Sequence, residues 1–272
     1  MNAKRLMGID IGAGSLKTMI VSVDGTVEGS ASADLRTSSP HPGWSEQDPA
    51  DWWRAVCDTV PRALADAGIG NDRIAAVAFS AGAHTPVLED ADGAVIRPAI
   101  LWSDARSGAE ARELQERYGD EILSLACNWP APTWTQPQLL WLARHEPQAL
   151  ARTRRLYVAK DWLRSRLTGT WETDGTEAAG TLLFEGRRNR WSERLCEMIG
   201  FDPRLLPPIV QPTTVVGQVT AAAATQCGLA AGTPVVCGSS DTSVEAFGAG
   251  ATRPGAGTVK LATAATMSIV AA

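Results

Sequence analysis

The sequence is short of the residues that build metal cages and disulfide frames. Its three histidines (His41, His84, His145) are scattered, and its five cysteines (Cys57, Cys127, Cys196, Cys227, Cys237) are widely spaced, odd in number and without a C-x-x-C pair. That spacing argues against a zinc site or a disulfide scaffold and reads as reduced thiols in a cytoplasmic protein. Positive charge is not in excess either: a formal net charge of -5 gives no electrostatic reason to expect nucleic acid or an anionic membrane surface as partner. No apolar run approaches the roughly 18 residues of a membrane span, and no secretory leader pattern opens the sequence. Repeats and low-complexity tracts are missing as well. What remains is an ordinary globule of 272 residues, 44% hydrophobic and 20% charged, with length for one large domain or two small ones. Tryptophan is the excess, at ten residues. Most suit core or domain packing, and one or two suit the lining of a ligand pocket.

The N-terminal stretch Met7-Gly8-Ile9-Asp10-Ile11-Gly12-Ala13-Gly14-Ser15-Leu16-Lys17-Thr18 organises the rest. Leu6, Ile9 and Ile11 predict a buried strand, and Met19-Ile20-Val21 with Val23 a second. Between them a small-residue turn can offer backbone N–H groups to an anion. Asp10, at the end of the first strand, can hold a cation shared with the same phosphates. The spacing is neither a P-loop nor G-x-G-x-x-G before a helix, and strand rather than helix follows it. A tight hairpin with an incidental acid is the alternative.

Asp24-Gly25 predicts a hairpin into a third strand at 26–32. Residues 36–47 read as a surface loop, and Asp48-Pro49 as the cap and first residue of a helix ended by Gly68. Further strands are expected at 74–79, 85–88, 99–102, 156–158 and 233–237. Helices are expected from about 106 to 118, at 137–147, 160–167, 191–199, 221–227 and 244–250, and a strand with a turn near 262–265 over 259–270.

Two poles of this chain can carry chemistry. The first is Asp10 with Gly12, Ala13, Gly14, Ser15 and Lys17. The second is Asp241, at a strand-to-helix junction after Gly238-Ser239-Ser240, where open sheets place their ligand crevice. An acid there can take the proton of a hydroxyl during phosphoryl transfer, or it can simply cap the helix. His84 reads as a ligand contact or a structural loop histidine, and Trp102 as a sugar platform or a core residue. Asp104 reads most simply as an N-cap, Arg106 as a solvated cation of the first turn, and Lys160-Asp161 as a helix-start pair. Lys17 can equally be a strand-surface lysine.

Taken together, Gly8-Ile9-Asp10-Ile11-Gly12 with Lys17, Pro42-Gly43-Trp44-Ser45-Glu46-Gln47-Asp48-Pro49 before Trp52-Trp53, Pro98-Ala99-Ile100-Leu101-Trp102-Ser103-Asp104-Ala105-Arg106, Leu139-Leu140-Trp141 with His145-Glu146-Pro147, Lys160-Asp161-Trp162-Leu163, Thr173-Asp174 with Ala178-Ala179-Gly180-Thr181, and Asp241 resemble the N-terminal half of the FGGY carbohydrate kinases, most closely the xylulokinases. The resemblance runs essentially end to end. It implies an α/β, actin-like (ribonuclease-H-like) domain with a mixed central sheet flanked by helices. It also implies ATP- and Mg2+-dependent phosphorylation of a ketopentose such as D-xylulose, with ribulose or another polyol as alternatives. By the same resemblance Asp241 is the catalytic proton acceptor and a substrate contact, and Asp10 is the catalytic and metal-site carboxylate. Ala83, His84, Trp102 and Asp104 fall at the sugar, and Gly12, Ala13, Gly14, Ser15, Lys17 and Thr263 at the phosphates. The expected partners are a small sugar and ATP, with no nucleic acid and no membrane, and a homodimer is allowed. The Arg-Glu pair that glycerol kinases would show near 83 and 84 is absent.

Departures from the pattern matter too. Gly82 and Ala83 replace a Gln and a Met, which predicts a roomier pocket. Gln138 replaces a lysine, and Ala262-Thr263-Ala264-Ala265 replaces a glycine-bearing phosphate turn, so a close approach of phosphate to that backbone is harder. The expected division is a sugar-binding and catalytic-base domain over 1–258, with 259–272 opening a second, ATP-binding domain of which the remainder is absent. A chain so cut is expected to turn over poorly by itself. The rival readings are a non-catalytic sugar-binding or regulatory half-protein and an actin-like ATPase indifferent to sugar.

Overall fold

The computed structural model describes residues 4–82, 84–261 and 266–271. β1 (Arg5–Ile11) buries Met7, Ile9 and Ile11 and turns Leu6, Gly8 and Asp10 to the other face. β2 (Ser15–Val21) and β3 (Val27–Asp34) complete an antiparallel meander, β2 burying Leu16, Thr18 and Ile20. This two-residue alternation marks strands with one covered face. The second strand begins at Ser15, not at Met19 as the apolar run suggested. The turn is therefore shorter than expected, and Lys17 lies within the ladder.

β4 (Glu46–Gln47) follows, in a stretch expected to be plain surface loop; both of its residues are buried. α1 (Pro49–Asp66) starts as predicted, with Asp48 accepting the N–H of Ala50. Its Trp52, Val56, Val60 and Leu64 cover the meander, each such side chain stabilising by about 1.5–3 kcal/mol when fully buried. β5 (Ile74–Ala81) then pairs parallel with β1.

The middle of the chain forms a second cluster. β6 (Pro86–Glu89) pairs with β8 (Arg155–Val158), and β7 (Ala99–Ile100) with β4. Between them come α2 (Gly108–Ala126), α3 (Thr135–His145) and α4 (Pro147–Arg152), which bury Leu114, Ile122, Leu139 and Leu142 with Leu156 and Leu195. α2 runs well past Tyr118 to a left-handed Cys127, because Ile122 and Ala126 extend the same buried stripe.

α5 (Ala159–Thr168) ends at a left-handed Gly169 and is followed by β9 (Thr173–Asp174) and the short α6 (Gly175–Gly180). The helix expected over 191–199 divides instead. β10 (Phe184–Glu185) pairs with β11 (Arg190–Trp191), and α7 (Glu193–Glu197) begins only after the Ser192 cap. β12 (Ile209–Val210) pairs with β9, and β13 (Val215–Gln218), α8 (Ala221–Cys227) and β14 (Pro234–Val236) follow. α9 (Asp241–Gly248) and the hairpin of β15 (Gly257–Lys260) and β16 (Thr266–Ile269) close the described chain. The central sheet is mixed, in the order β13-β14-β5-β1-β2-β3. Among the described residues no helix is long and apolar enough to cross a membrane.

Candidate active site

β1, β5 and α9 bring the two acids expected to act together to one region. Asp10 stands beside Ser80 in the parallel ladder and accepts its hydroxyl at 2.6 Å, while Lys17 is its cross-strand partner on β2. Asp10 reaches solvent, yet partial burial raises its carboxyl above the ordinary range. The Ser80 bond works against that rise, the negative charges of Asp241 and Glu245 add to it, and Lys17 opposes it. Asp241 is thus within electrostatic reach of Asp10 although 231 positions (241 minus 10) separate them in the chain.

Asp241 is the first residue of α9, and the cap position belongs to Ser240. The carboxylate is half-buried and accepts the Thr242 N–H at 2.6 Å. Two residues that the sequence reading passed over join the same mouth. Glu245, one turn along α9, pairs with Lys260 of β15 at 2.7 Å. That bond raises the Lys260 ammonium, burial opposes the rise, and the charges of Glu245, Asp241 and Asp10 reinforce it.

The turn between β1 and β2 is closed by Gly12 N–H donating to Ser15 at 2.9 Å and is supported from below by Gln47 Nε2, 2.7 Å from the Ala13 carbonyl. Ala13 and Gly14 are exposed above it. Buried Gln47 also accepts the Trp52 indole at 2.7 Å, so α1 and β4 together fix the height of this turn. Trp102 is 38% exposed and lies against Gly82, whose added Cβ would meet the indole at 3.4 Å. It is a surface ring, not the core residue that its apolar neighbours allowed. The shallow hollow between this ring and the turn is about 20 Å3, room for about one water.

His84 is buried in the left-handed region (φ 57), with its ring 4.6 Å from that of Trp134. Its N–H donates to Glu177 Oε2 at 2.8 Å, and its carbonyl accepts Thr135 Oγ1 at 2.6 Å. Burial drives the imidazole down to about 3, so the ring is neutral. Asp104 is buried as well, and it does not cap a helix. It accepts the Ser45 N–H at 2.5 Å and the Arg106 guanidinium at 2.7 and 2.9 Å. Arg106 is 0% exposed in its side chain, pairs with Glu46 at 2.7 Å and lies 3.7 Å over the Trp44 ring. The expected solvated cation is a buried one. Lys160 and Asp161 are likewise fully buried, with Lys160 Nζ 2.7 Å from Asp161 and 2.9 Å from Asp174. Ala83 and Thr263 lie outside the described residues.

Among the described residues no three His, Cys, Asp or Glu side chains gather as a metal cage. Asp10 supplies one carboxylate beside an open turn. That donor set fits Mg2+, which keeps several waters and takes its remaining ligands from substrate phosphates, and does not fit a metal held by protein alone.

Residues 5–248 match the FGGY family of carbohydrate kinases, N-terminal domain. The chain belongs to this family. Xylulose kinase of Bacillus subtilis strain 168 is 33% identical over 247 residues, covering 91% of this chain and 50% of that relative. The crystal structure of a xyloylose kinase from Brucella ovis superposes with a TM-score of 0.90 at 33% identity, covering 97% of this chain and 54% of that one. Xylulose kinase from Rhodospirillum rubrum gives 0.92 at 31%, with the same coverage. The FGGY chain described here thus spans about half the length of the relatives it matches. Its mixed sheet with flanking helices is their actin-like, ribonuclease-H-like α/β fold.

Proposed function

We propose that this chain is the sugar-binding half of an ATP-dependent ketopentose kinase, with a D-xylulose-like substrate and Asp241 as proton acceptor. The observation that carries the reading is the convergence on the end of β5, where Ser80 bonds Asp10 and the preceding Phe79 carbonyl lies against Gly238, three residues before Asp241 at the head of α9. In this reading the bond from the terminal phosphorus of ATP to its bridging oxygen breaks and ADP leaves. A new bond forms from that phosphorus to a sugar hydroxyl oxygen, and the hydroxyl proton passes to the Asp241 carboxylate. Gly12, Ala13, Gly14, Ser15 and Lys17 border the phosphates, with Thr263 as a second contact. Asp10 would hold Mg2+, which when bound neutralises charge on the phosphates. Trp102 offers its exposed face to the sugar ring. His84 shapes the neighbouring loop, Ala83 is assigned to the sugar by the family resemblance alone, and Asp104 orders that side from beneath through Arg106 and Ser45. Residues 1–258 form this lobe, and 259–272 open a second one. The exposure of Phe247, Val259, Leu261, Met267 and Ile269 supports that division.

The experiment is ATP consumption over a panel of ketopentoses, with glycerol as control, on the protein expressed from its whole reading frame. Consumption stimulated by D-xylulose or another ketopentose is expected. Hydrolysis indifferent to sugar would make the protein an actin-like ATPase. Sugar binding without ATP consumption would make it a non-catalytic binding half.

A further inference from the structure

α6 is only six residues long, yet it ends two hydrogen-bond paths that lead to opposite sides of the site. Thr176 Oγ1 lies 2.5 Å from Asp174 Oδ2, 2.7 Å from Ser239 Oγ and 3.1 Å from the Ser240 N–H. Giving its proton to the carboxylate leaves it two lone pairs, which those two donors fill. Asp174 is anchored in turn by the buried Lys160 ammonium. Burial works against that charge, but the carboxylates of Asp161 and Asp174 outweigh it and keep Lys160 protonated. The next residue, Glu177, reaches the other way and accepts the N–H of His84, whose left-handed backbone is uncommon for a residue other than glycine. An ionic network of this kind is weak evidence for stability, since well-packed apolar residues often serve as well. Its polar ends, however, fall on the two loops that flank the mouth.

We infer that Thr176 and Glu177 are positioning residues that divide the site between them, Thr176 setting the loop that carries Asp241 and Glu177 setting the loop that carries His84. The inference rests on the reading of Asp241 as proton acceptor and His84 as part of the sugar side. Thr176 thereby governs where the base stands, and Glu177 governs how the sugar is received.

Two measurements test it. In the 272-residue chain, amide hydrogen exchange is compared between wild type, Thr176→Val and Glu177→Ala. Exchange at residues 239–242 speeds up in the first variant and exchange at 84–85 in the second, each leaving the other loop unchanged. In the protein from its whole reading frame, Thr176→Val lowers kcat about tenfold or more with sugar KM within about threefold, because a base displaced by a fraction of an ångström loses rate before binding. Thr176→Ser restores kcat. Glu177→Ala raises sugar KM about tenfold with a smaller change in kcat, through the loosened sugar loop. Exchange unchanged at both loops, or kcat and KM moving together in both variants, overturns the inference. If wild type phosphorylates no sugar, the kinase reading fails by itself, and the exchange data still decide whether α6 holds the two loops.

Discussion

A Cβ built on Gly238 would stand 2.1 Å from the carbonyl oxygen of Phe79, and Gly238 holds a left-handed φ of +80°. The end of β14 is folded onto the backbone of β5 so closely that only glycine fits, and Asp241 follows three residues later. Gly238→Ala therefore meets both a strained dihedral and a backbone atom that cannot rotate away. We expect a loss of roughly 2–4 kcal/mol, or about 5–15 °C in Tm for a domain of this size. A thermal melt within 2 °C of wild type would show that the chain relaxes around the clash.

Asp241→Asn keeps the shape of the side chain but cannot accept a proton. Turnover with the preferred ketopentose should fall by about 10²–10⁴ with little change in stability. A rate within a few-fold of wild type would remove Asp241 from the base role. Asp10→Asn should instead shift the Mg2+ concentration needed for half-maximal rate upward, which a metal titration reads directly.

Arg106 is the buried cation between Asp104 and Glu46. Replacing it with leucine leaves the buried Asp104 without its counter-charge and Glu46 with Arg97 alone, a loss of about 3–5 kcal/mol. Lysine cannot reproduce the forked contact to Asp104 and should recover only part of this. Urea midpoints of the two variants check the ranking. Equal midpoints for wild type and Arg106→Leu would mean that the cluster contributes nothing net.

Burial pushes the Glu177 carboxyl up to about 8. Lys160 and the His84 N–H act against the rise, while Asp161 and Asp174 add to it. The folded state thus keeps a proton that the unfolded chain releases near its ordinary carboxylate pKa. Stability is greatest below that value and declines as pH rises toward 8, by at most about 1.4 kcal/mol per unit. His84 has the opposite sign: neutral when folded, it takes a proton on unfolding below about 6.5, so stability falls as pH drops through that range. Between pH 6.5 and 7.5 the His84 effect fades and the opposing Glu177 effect is the larger of the two. Tm should fall across that interval in wild type and hold or rise slightly in Glu177→Gln, where only the fading His84 effect remains. A flat wild-type profile would mean that Glu177 is ionised in the fold.

Local patterns in the sequence were enough to place the parts that depend on neighbours along the chain. The apolar run with Ile9 and Ile11 located β1 and put Asp10 at its end, although Leu6 faces outward and Met7 is buried in its place; Asp48-Pro49 located the start of α1, because caps and strands are set by residues a few positions apart. Asp241 was legible as the head of a helix after small residues, though Ser240 and not Asp241 holds the cap position. Strands of two residues such as β9 and β12 carry no period to read and went unseen.

Which charges would be buried was decided only in three dimensions. Arg106, Lys160 and Asp104 look like surface residues of helix starts, and they go inside because their partners arrive from segments far away in the chain: Glu46 for Arg106, Asp174 for Lys160. A charge enters a protein interior only where an opposite charge and hydrogen bonds meet it there, and no local pattern records that meeting. The same holds for Glu177 and His84, whose contact spans 93 positions. The sequence determined what chemistry the chain can offer; the tertiary structure decided which of its polar groups face a substrate and which hold the others in place.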